Sequence, residues 1–217
     1  IASLFKYLFE NFPSFIWAFF FGLILASVYF VGKRVTQWSF WNIFIFIFGA
    51  SVALIVSFLS PSSENTNLFY VFVCGIIGVS GMILPGLSGS FILILMGNYE
   101  LLMVKAITEL DIVLLSLFFL GSVFGLISFS RILSWVFRYY KDATLALLTG
   151  FILGSLNIIW PWKEENDTIL INGKVKILSY EKYFPTECDS TTISVFMLIL
   201  LGILLVFLIE KFSLKKK

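Results

Sequence analysis

Long apolar stretches, separated by short polar or charged segments, run through most of the chain. A helix needs roughly 20 apolar residues to cross the roughly 30 Å of membrane hydrocarbon. Five stretches have this length and contain no charged side chain between their ends, apart from the acidic residue that opens the third. The pattern predicts five transmembrane helices, at residues 14–32, 41–59, 111–130, 143–160 and 193–209.

A sixth apolar region, residues 68–104, has a different pattern. It is too long for one transmembrane helix, and the sequence Pro-Gly-Leu-Ser-Gly-Ser at 85–90 interrupts it. Six of the 15 glycines of the chain fall inside it, which indicates close approach of backbones. Because proline and glycine end regular helices, we predict two helical arms joined by a turn at 85–90.

The distribution of lysine and arginine tests whether this region crosses the membrane or returns. Loop 33–40 carries two basic residues, loop 60–67 none, segment 131–142 three, loop 161–192 four together with six acidic residues, and the tail after residue 210 four. Basic loops face the cytoplasm, although this bias is weaker in longer loops such as 161–192. Loop 33–40, segment 131–142 and the tail lie on one side only if region 68–104 enters and leaves on the same side, so the pattern favours a hairpin.

The depth of this hairpin depends on Glu100, which lies ten residues, or about 15 Å, after Ser90. A turn near the cytoplasmic face would bury the Glu100 carboxylate in mid-membrane, at a cost of at least about 2.5–3.5 kcal/mol. We therefore expect a re-entrant hairpin that turns near the midplane.

The remaining segments complete a single membrane domain, 1–217. Residues 1–13 resemble the end of a preceding helix or an interfacial segment, and 163–192 form a polar extracytoplasmic loop. Within that loop, Asn172-Gly173 predicts a β-hairpin with strands at 169–171 and 174–178. The expected fold class is an all-α integral membrane protein with five transmembrane helices and one re-entrant hairpin.

Composition agrees with this class and excludes several functions. Of 217 residues, 59% are hydrophobic and 13% are charged, too few to cover a water-soluble domain. The net charge of +2, without a basic stripe, argues against nucleic-acid binding. The chain has no histidine, which removes imidazole catalysis and histidine metal ligands, and Cys74 and Cys188 lie in unlike contexts that do not indicate a disulfide framework. We expect no cofactor, no metal and no enzymatic activity.

The turn at 85–90 carries the strongest chemical signal. Pro85 ends the first arm, Gly86 and Gly89 permit a tight backbone, and Ser88 or Ser90 can cap the following helix. Unpaired N–H groups at membrane depth are tolerated only in protein or at a wet cavity, where they suit a phosphate or carboxylate. The alternative is a plain turn between two packed helices.

Other motifs have weaker functional interpretations. Gly86-Leu87-Ser88-Gly89 matches the short pattern around the nucleophile of intramembrane rhomboid proteases, but no histidine is present to act as base. Arg131 suits bidentate contact with phosphate, although it also fits ordinary cytoplasmic anchoring. The motifs Gly121-x-x-x-Gly125 and Gly150-x-x-x-Gly154 are typical of close helix packing.

Four separated blocks resemble one known family. They are WAFFFGLILAS from Trp17, GMILPGLSGSFILILMGNYE from Gly81, the pair Ser130-Arg131, and LALLTGFILGSLNIIWPW from Leu145. In this order they resemble the bacterial polyprenyl-phosphate transporter family, long catalogued as domain of unknown function 368. The resemblance covers nearly all of residues 1–162 and does not extend to 163–192.

The resemblance implies a multi-pass flippase of the bacterial cytoplasmic membrane that returns undecaprenyl phosphate from the outer to the inner leaflet for cell-wall biogenesis. It implies an inverted-repeat fold, in which each repeat has a re-entrant hairpin with a Pro-Gly-x-Ser-Gly motif. The substrate-binding residues that it implies here are Pro85, Gly86, Ser88, Gly89, Ser90, Glu100 and Arg131.

The chain begins at Ile1 and contains one such motif, so we expect a fragment that lacks the family's N-terminal part. Its expected partners are the lipid phosphate and membrane lipids, with a homo-oligomer left open. The alternative functions are a channel or carrier for small anions that uses the same hairpin, an intramembrane hydrolase and a purely structural subunit.

Overall fold

The computed structural model describes residues 11–171, 174–185 and 189–214, with only the backbone described at 164–171, 174–181 and 213–214. A π-helical turn lies at Leu101–Lys105, and the two described strands pair antiparallel. The helices are α1 (Pro13–Gly32), α2 (Phe40–Phe58), α3 (Leu68–Ile83), α4 (Gly89–Leu95), α5 (Ala106–Thr108), α6 (Ile112–Tyr139), α7 (Lys141–Ser155) and α8 (Ser190–Leu214); the strands are β1 (Lys163–Ile171) and β2 (Lys174–Lys182).

Four helices are long and apolar enough to cross a membrane: α1, α2, α6 and the Ser190–Phe212 part of α8. The chain is therefore a multi-pass helical membrane protein. The fifth predicted span, 143–160, is not confirmed, because α7 has only 15 residues and ends at Ser155, which gives a length of about 22 Å. A turn follows at 156–159.

The predicted β-hairpin is confirmed, with longer strands than the sequence indicated. β1 and β2 have nine residues each, and Lys163 pairs with Lys182 at the base of the hairpin. The turn residues Asn172 and Gly173 lie outside the described residues, as do residues 1–10 and Cys188. The expected all-α class therefore holds for the membrane helices, and the polar loop adds a two-stranded sheet.

Two compact units make up the chain, one of Ile1–Phe30 with Leu156–Lys217 and one of Val31–Ser155. In the first unit, α1 and α8 run parallel. Gly22 lies against the backbone of Ile199, and a side chain at Gly202 would meet the carbonyl oxygen of Phe19 at 2.5 Å. The buried residues of this unit include Ala18, Trp162 and Val195.

In the second unit, α2 and α7 run parallel and touch through glycine. Gly150 lies against the carbonyl oxygen of Phe46, and a side chain at Gly154 would meet that of Ala50 at 2.5 Å. These two glycines form the predicted packing motif, so its structural interpretation is confirmed. α7 is the most buried helix of this unit, since nine of its 15 residues are buried.

Asp142 joins the beginning of α7 to the segment before α2. Its carboxylate accepts hydrogen bonds from the N–H and hydroxyl of Thr36 and from the N–H of Gln37, each 3.1 Å long. These donors, led by the Thr36 N–H, hold the pKa of the Asp142 carboxyl below its ordinary value.

A carboxyl with a lowered pKa stabilises the folded state above its unfolded pKa, and this contribution is lost as the pH falls through the folded value. We therefore expect Asp142→Asn to lower the unfolding temperature at pH 7. The difference from wild type should shrink as the pH falls below about 4. Thermal unfolding in detergent at several pH values measures this, and a difference that stays constant across the range would contradict it.

α3 and α6 form the other parallel pair of the second unit. Gly121 lies against the carbonyl oxygen of Phe72, and a side chain at Gly125 would meet the backbone of Ile76 at 2.7 Å. The second predicted packing motif is thus also a helix contact. Because α6 runs in the same direction as α3, the chain between residues 84 and 111 returns to the end at which α3 begins.

Candidate functional site

The returning segment is a helical hairpin, and polar contacts hold its two arms together at the end opposite the turn. α4 ends at Leu95, and Gly97 shortly after it has a φ of +76°, a left-handed conformation that favours glycine. The side chain of Asn98 is completely buried; it accepts from the Asn65 N–H at 2.9 Å and donates to the Asn65 carbonyl at 2.8 Å. The Tyr70 hydroxyl donates to the Met96 carbonyl at 2.9 Å. These bonds hold the start of α3 and the end of α4 together.

Small residues allow the two arms of the hairpin to pack closely. Gly78 contacts the side chain of Leu93, and Gly81 contacts that of Ile92. Gly89, at the start of α4, is buried against the carbonyl oxygen of Gly78. The glycines of region 68–104 are therefore explained in large part by this close packing.

The turn between the arms is seated on α7. Gly86 has a φ of +89°, which a residue with a side chain rarely adopts. A side chain there would also lie 2.9 Å from the carbonyl oxygen of Phe151 and 2.9 Å from the Ser155 hydroxyl oxygen. Both the backbone conformation and the neighbouring helix therefore require glycine at this position.

The contacts of α7 show how far the turn reaches along the spanning helix α2. Gly86 touches α7 at Phe151 and Ser155. At the same level of α7, Gly150 packs on Phe46 and Gly154 packs on Ala50. Those two residues lie near the middle of α2 (Phe40–Phe58). The turn is therefore level with the central part of a helix long enough to cross a membrane.

Two serine hydroxyls and several N–H groups meet at the turn. The oxygens of Ser88 and Ser90 are 2.8 Å apart. The first backbone bond of α4 runs from the Ile92 N–H to the Ser88 carbonyl, so the N–H groups of Gly89, Ser90 and Phe91 have no acceptor within the helix. Donors from side chain and backbone thus lie together, an arrangement that can bind an anion.

Two details of the sequence interpretation need correction here. Ser88 occupies the N-cap position of α4, but its side chain makes no capping bond and contacts Ser90 instead. α4 has only seven residues, so its dipole is weak. The capacity for anion binding therefore lies in the individual donors.

Arg131 lies on α6, and the contacts of that helix give its level. Phe72 pairs with Gly121 and Ile76 with Gly125, so the same register brings Arg131 to the level of Met82, one turn before Pro85. Its side chain is exposed. Arg131 is thus near the level of the turn, although the described residues record no contact between it and either serine.

Glu100 does not belong to this cluster. It follows α4 at the end of the hairpin opposite the turn, and its side chain is exposed. Its charge, with that of Glu109, adds to the effect of Glu64, whose carboxylate accepts a 2.7 Å hydrogen bond from Lys105 and raises the Lys105 pKa. Glu100 therefore lies in an acidic group near the hairpin ends and not beside Ser88.

Sequence reasoning missed Ser155, which lies beside the turn, and Asn98, which lies at the opposite end of the hairpin. Ser155 is buried beside Gly86, and its hydroxyl donates to the Ile152 carbonyl at 2.8 Å. Its position directly after Gly154, in a helix of small residues, was the available signal. Asn98 is an amide at the end of an apolar arm, where burial would require complete hydrogen bonding. Among the described residues, no group of three or more acidic or cysteine side chains could hold a metal ion.

Comparison with known proteins places the chain in a family. The family described as "Undecaprenyl phosphate translocase-like" matches residues 1–176. A polyprenyl-phosphate transporter of Vibrio cholerae is 38% identical over 98% of this chain and 71% of its own length. A polyprenyl-phosphate transporter of Staphylococcus aureus is 26% identical over 74% of this chain and 63% of its own length. No solved structure shows a significant match. The chain belongs to the undecaprenyl phosphate translocase-like family.

Proposed function

We propose that this protein moves polyprenyl phosphate, specifically undecaprenyl phosphate, from the outer to the inner leaflet of the bacterial cytoplasmic membrane. The relatives named above are polyprenyl-phosphate transporters, which supports the substrate class and a transport role without catalysis. The observation that carries the proposal is the Ser88–Ser90 pair at a turn level with the middle of α2.

The phosphate headgroup binds at the turn in this proposal. The hydroxyls of Ser88 and Ser90 and the N–H groups of Gly89 and Ser90 donate hydrogen bonds to its oxygens. Bonds to a charged group contribute about 1.5–3 kcal/mol each. Pro85 and Gly86 hold the turn in shape against α7. Arg131 supplies positive charge from α6, or a residue outside this chain does so.

The hairpin is re-entrant in this proposal, with its turn near the membrane midplane. The parallel direction of α3 and α6 and the level of Gly86 beside the centre of α2 support this placement. It leaves Glu100 near the outer surface, where a carboxylate is hydrated, so we propose no phosphate contact for Glu100. The isoprenoid chain remains in the lipid while the headgroup passes the turn.

The test is leaflet-resolved transport of a fluorescent polyprenyl phosphate by the full-length protein in proteoliposomes. The double variant Ser88→Ala/Ser90→Ala should reduce the rate at least about tenfold, since it removes two hydroxyl bonds to a charged group. Ser116→Ala is the matched control, because its exposed hydroxyl bonds only to its own helix at Val113. A double variant that transports at the wild-type rate would refute the proposed site.

Competition separates this function from transport of small anions. Excess unlabelled polyprenyl phosphate should block transport of the fluorescent lipid, whereas inorganic phosphate at the same concentration should leave it unchanged. If inorganic phosphate competes equally well, the hairpin binds small anions and the lipid specificity is wrong. If Ser88 reacts with a serine-directed phosphonate, a hydrolase would have to be considered in place of a transporter.

A further inference from the structure

A groove of about 700 Å³ lies at the end of the second unit where α2 and α7 begin. This is within the range of about 300–1,000 Å³ that is usual for small-molecule sites. Its inner walls are apolar and come from three helices: Ile45 on α2, Val136 on α6, and Ala143 and Leu147 on α7. We call it the α7 groove.

Aromatic side chains surround the mouth of the α7 groove. Trp41, Tyr139 and Tyr140 are 66%, 65% and 59% exposed. Tryptophan and tyrosine are enriched where a membrane meets water, because the ring sits in apolar surroundings and the polar atom reaches the headgroups. The mouth therefore lies at headgroup level, and the inner walls lie deeper, at the level of the hydrocarbon.

The charge at this mouth suits an anionic headgroup. Lys141 lines the groove. The Asp142 carboxylate also lines it but is already bound by the donors of Thr36 and Gln37. Lys33, Arg34 and Arg138 add exposed positive charge to the same end. The balance of charge is positive, so a lipid phosphate is attracted and a neutral lipid is not.

The α7 groove and the seat of the hairpin turn lie at the two ends of one helix. Leu147 lines the groove, Phe151 follows one helical turn later, and Ser155 beside Gly86 follows one turn after that. The distance from Lys141 to Ser155 along α7 is about 21 Å. The beginning of α7 therefore lines the groove, and its end supports the hairpin turn.

We propose that the α7 groove is a second binding site for polyprenyl phosphate, which holds the lipid on its way from the turn to one face of the membrane. The phosphate contacts Lys141 at the mouth, and the first isoprene units lie along Ile45, Ala143 and Leu147. This inference rests on the proposed transport function, and it adds a second binding site to the one proposed at the turn.

Photocrosslinking tests the groove directly. Full-length protein in nanodiscs is irradiated with a polyprenyl phosphate that carries a diazirine on its second isoprene unit, and labelled peptides are identified by mass spectrometry. We expect label on both the 41–45 and the 143–147 peptides, and excess unlabelled polyprenyl phosphate should remove it. Lys141→Gln should reduce this label about threefold to fivefold, the effect of one partly exposed charge contact. Lys211→Gln, which changes an exposed lysine of α8 that does not line the groove, should not.

A second variant fills the groove without touching its charge. Ala143→Phe should remove the label at 41–45 and slow transport. Size-exclusion chromatography and thermal unfolding, compared with wild type, check that this variant is folded. Label at the hairpin turn without label in the groove would refute this inference and leave the proposed function intact. Absence of displaceable label anywhere would refute both. Equal competition by phosphatidylglycerol would show a general phospholipid site and would overturn the assignment to polyprenyl phosphate.

Discussion

Replacing Gly121 by leucine is expected to prevent the protein from forming a stable, monodisperse particle. Gly121 lies directly against the carbonyl oxygen of Phe72, where α3 and α6 cross. Overpacking usually costs about 1–3 kcal/mol, and more where a backbone must move. Because Phe72 offers a carbonyl and not a flexible side chain, we expect at least about 3 kcal/mol, a large share of the usual total stability.

Size-exclusion chromatography and thermal unfolding of the purified protein measure this effect. Ser116→Leu is the matched control, since it adds the same side chain to an exposed position of α6 and should behave as wild type. Gly121→Ala should fall between the two. If Gly121→Leu elutes and unfolds like Ser116→Leu, then α3 and α6 do not pack as described.

Replacing Asn98 by leucine is expected to be the next most damaging change. Leucine has nearly the same size, so the change removes hydrogen bonds and leaves no cavity. The two bonds to Asn65 are lost, at about 1 kcal/mol each, and only the bond from Tyr70 to Met96 remains of the three side-chain bonds described at this end of the hairpin. We expect a loss of about 2–3 kcal/mol in the free energy of unfolding.

Proteolysis and thermal unfolding report on this change. The loop at 60–67 should be cleaved faster, because its attachment to the end of α4 is weakened. Asn67→Ala is the comparison, since it removes only the cap of α3 and should cost about 1 kcal/mol. Equal effects of the two substitutions would show that the buried amide of Asn98 contributes no more than a surface cap.

Two independent signals in the sequence predict two helical arms joined by a turn, which the structure contains; the re-entrant placement of this hairpin in the membrane stays a prediction. Proline and glycine at 85–86 cannot continue a helix, and Gly86 indeed adopts a positive φ. The arrangement of basic loops requires the chain to return, and α3 and α6 do run parallel. These are local or one-dimensional properties, which a single sequence records directly.

The features that the sequence does not predict depend on partners distant in the chain. Apolar content over 143–160 resembles a spanning helix, but the tertiary fold ends α7 at Ser155 beside the hairpin turn. Glu100 follows the Pro-Gly-Leu-Ser-Gly-Ser segment closely in sequence, yet α4 carries it to the opposite end of the hairpin. Asn98 has a polar side chain, which the sequence alone does not place in the interior. Its burial is explained by its hydrogen bonds to Asn65.

The parallel pairing of α2 with α7 has a consequence for biosynthesis. α2 ends at Phe58, and its partner is complete only at Ser155, about a hundred residues later. At about 5–20 residues per second, the ribosome needs roughly 5–20 s to produce α7. Throughout that interval the surface around Ala50 that will receive Gly154 faces lipid or the insertion machinery. Correct assembly therefore requires the early helices to remain separable in the membrane until the late ones arrive.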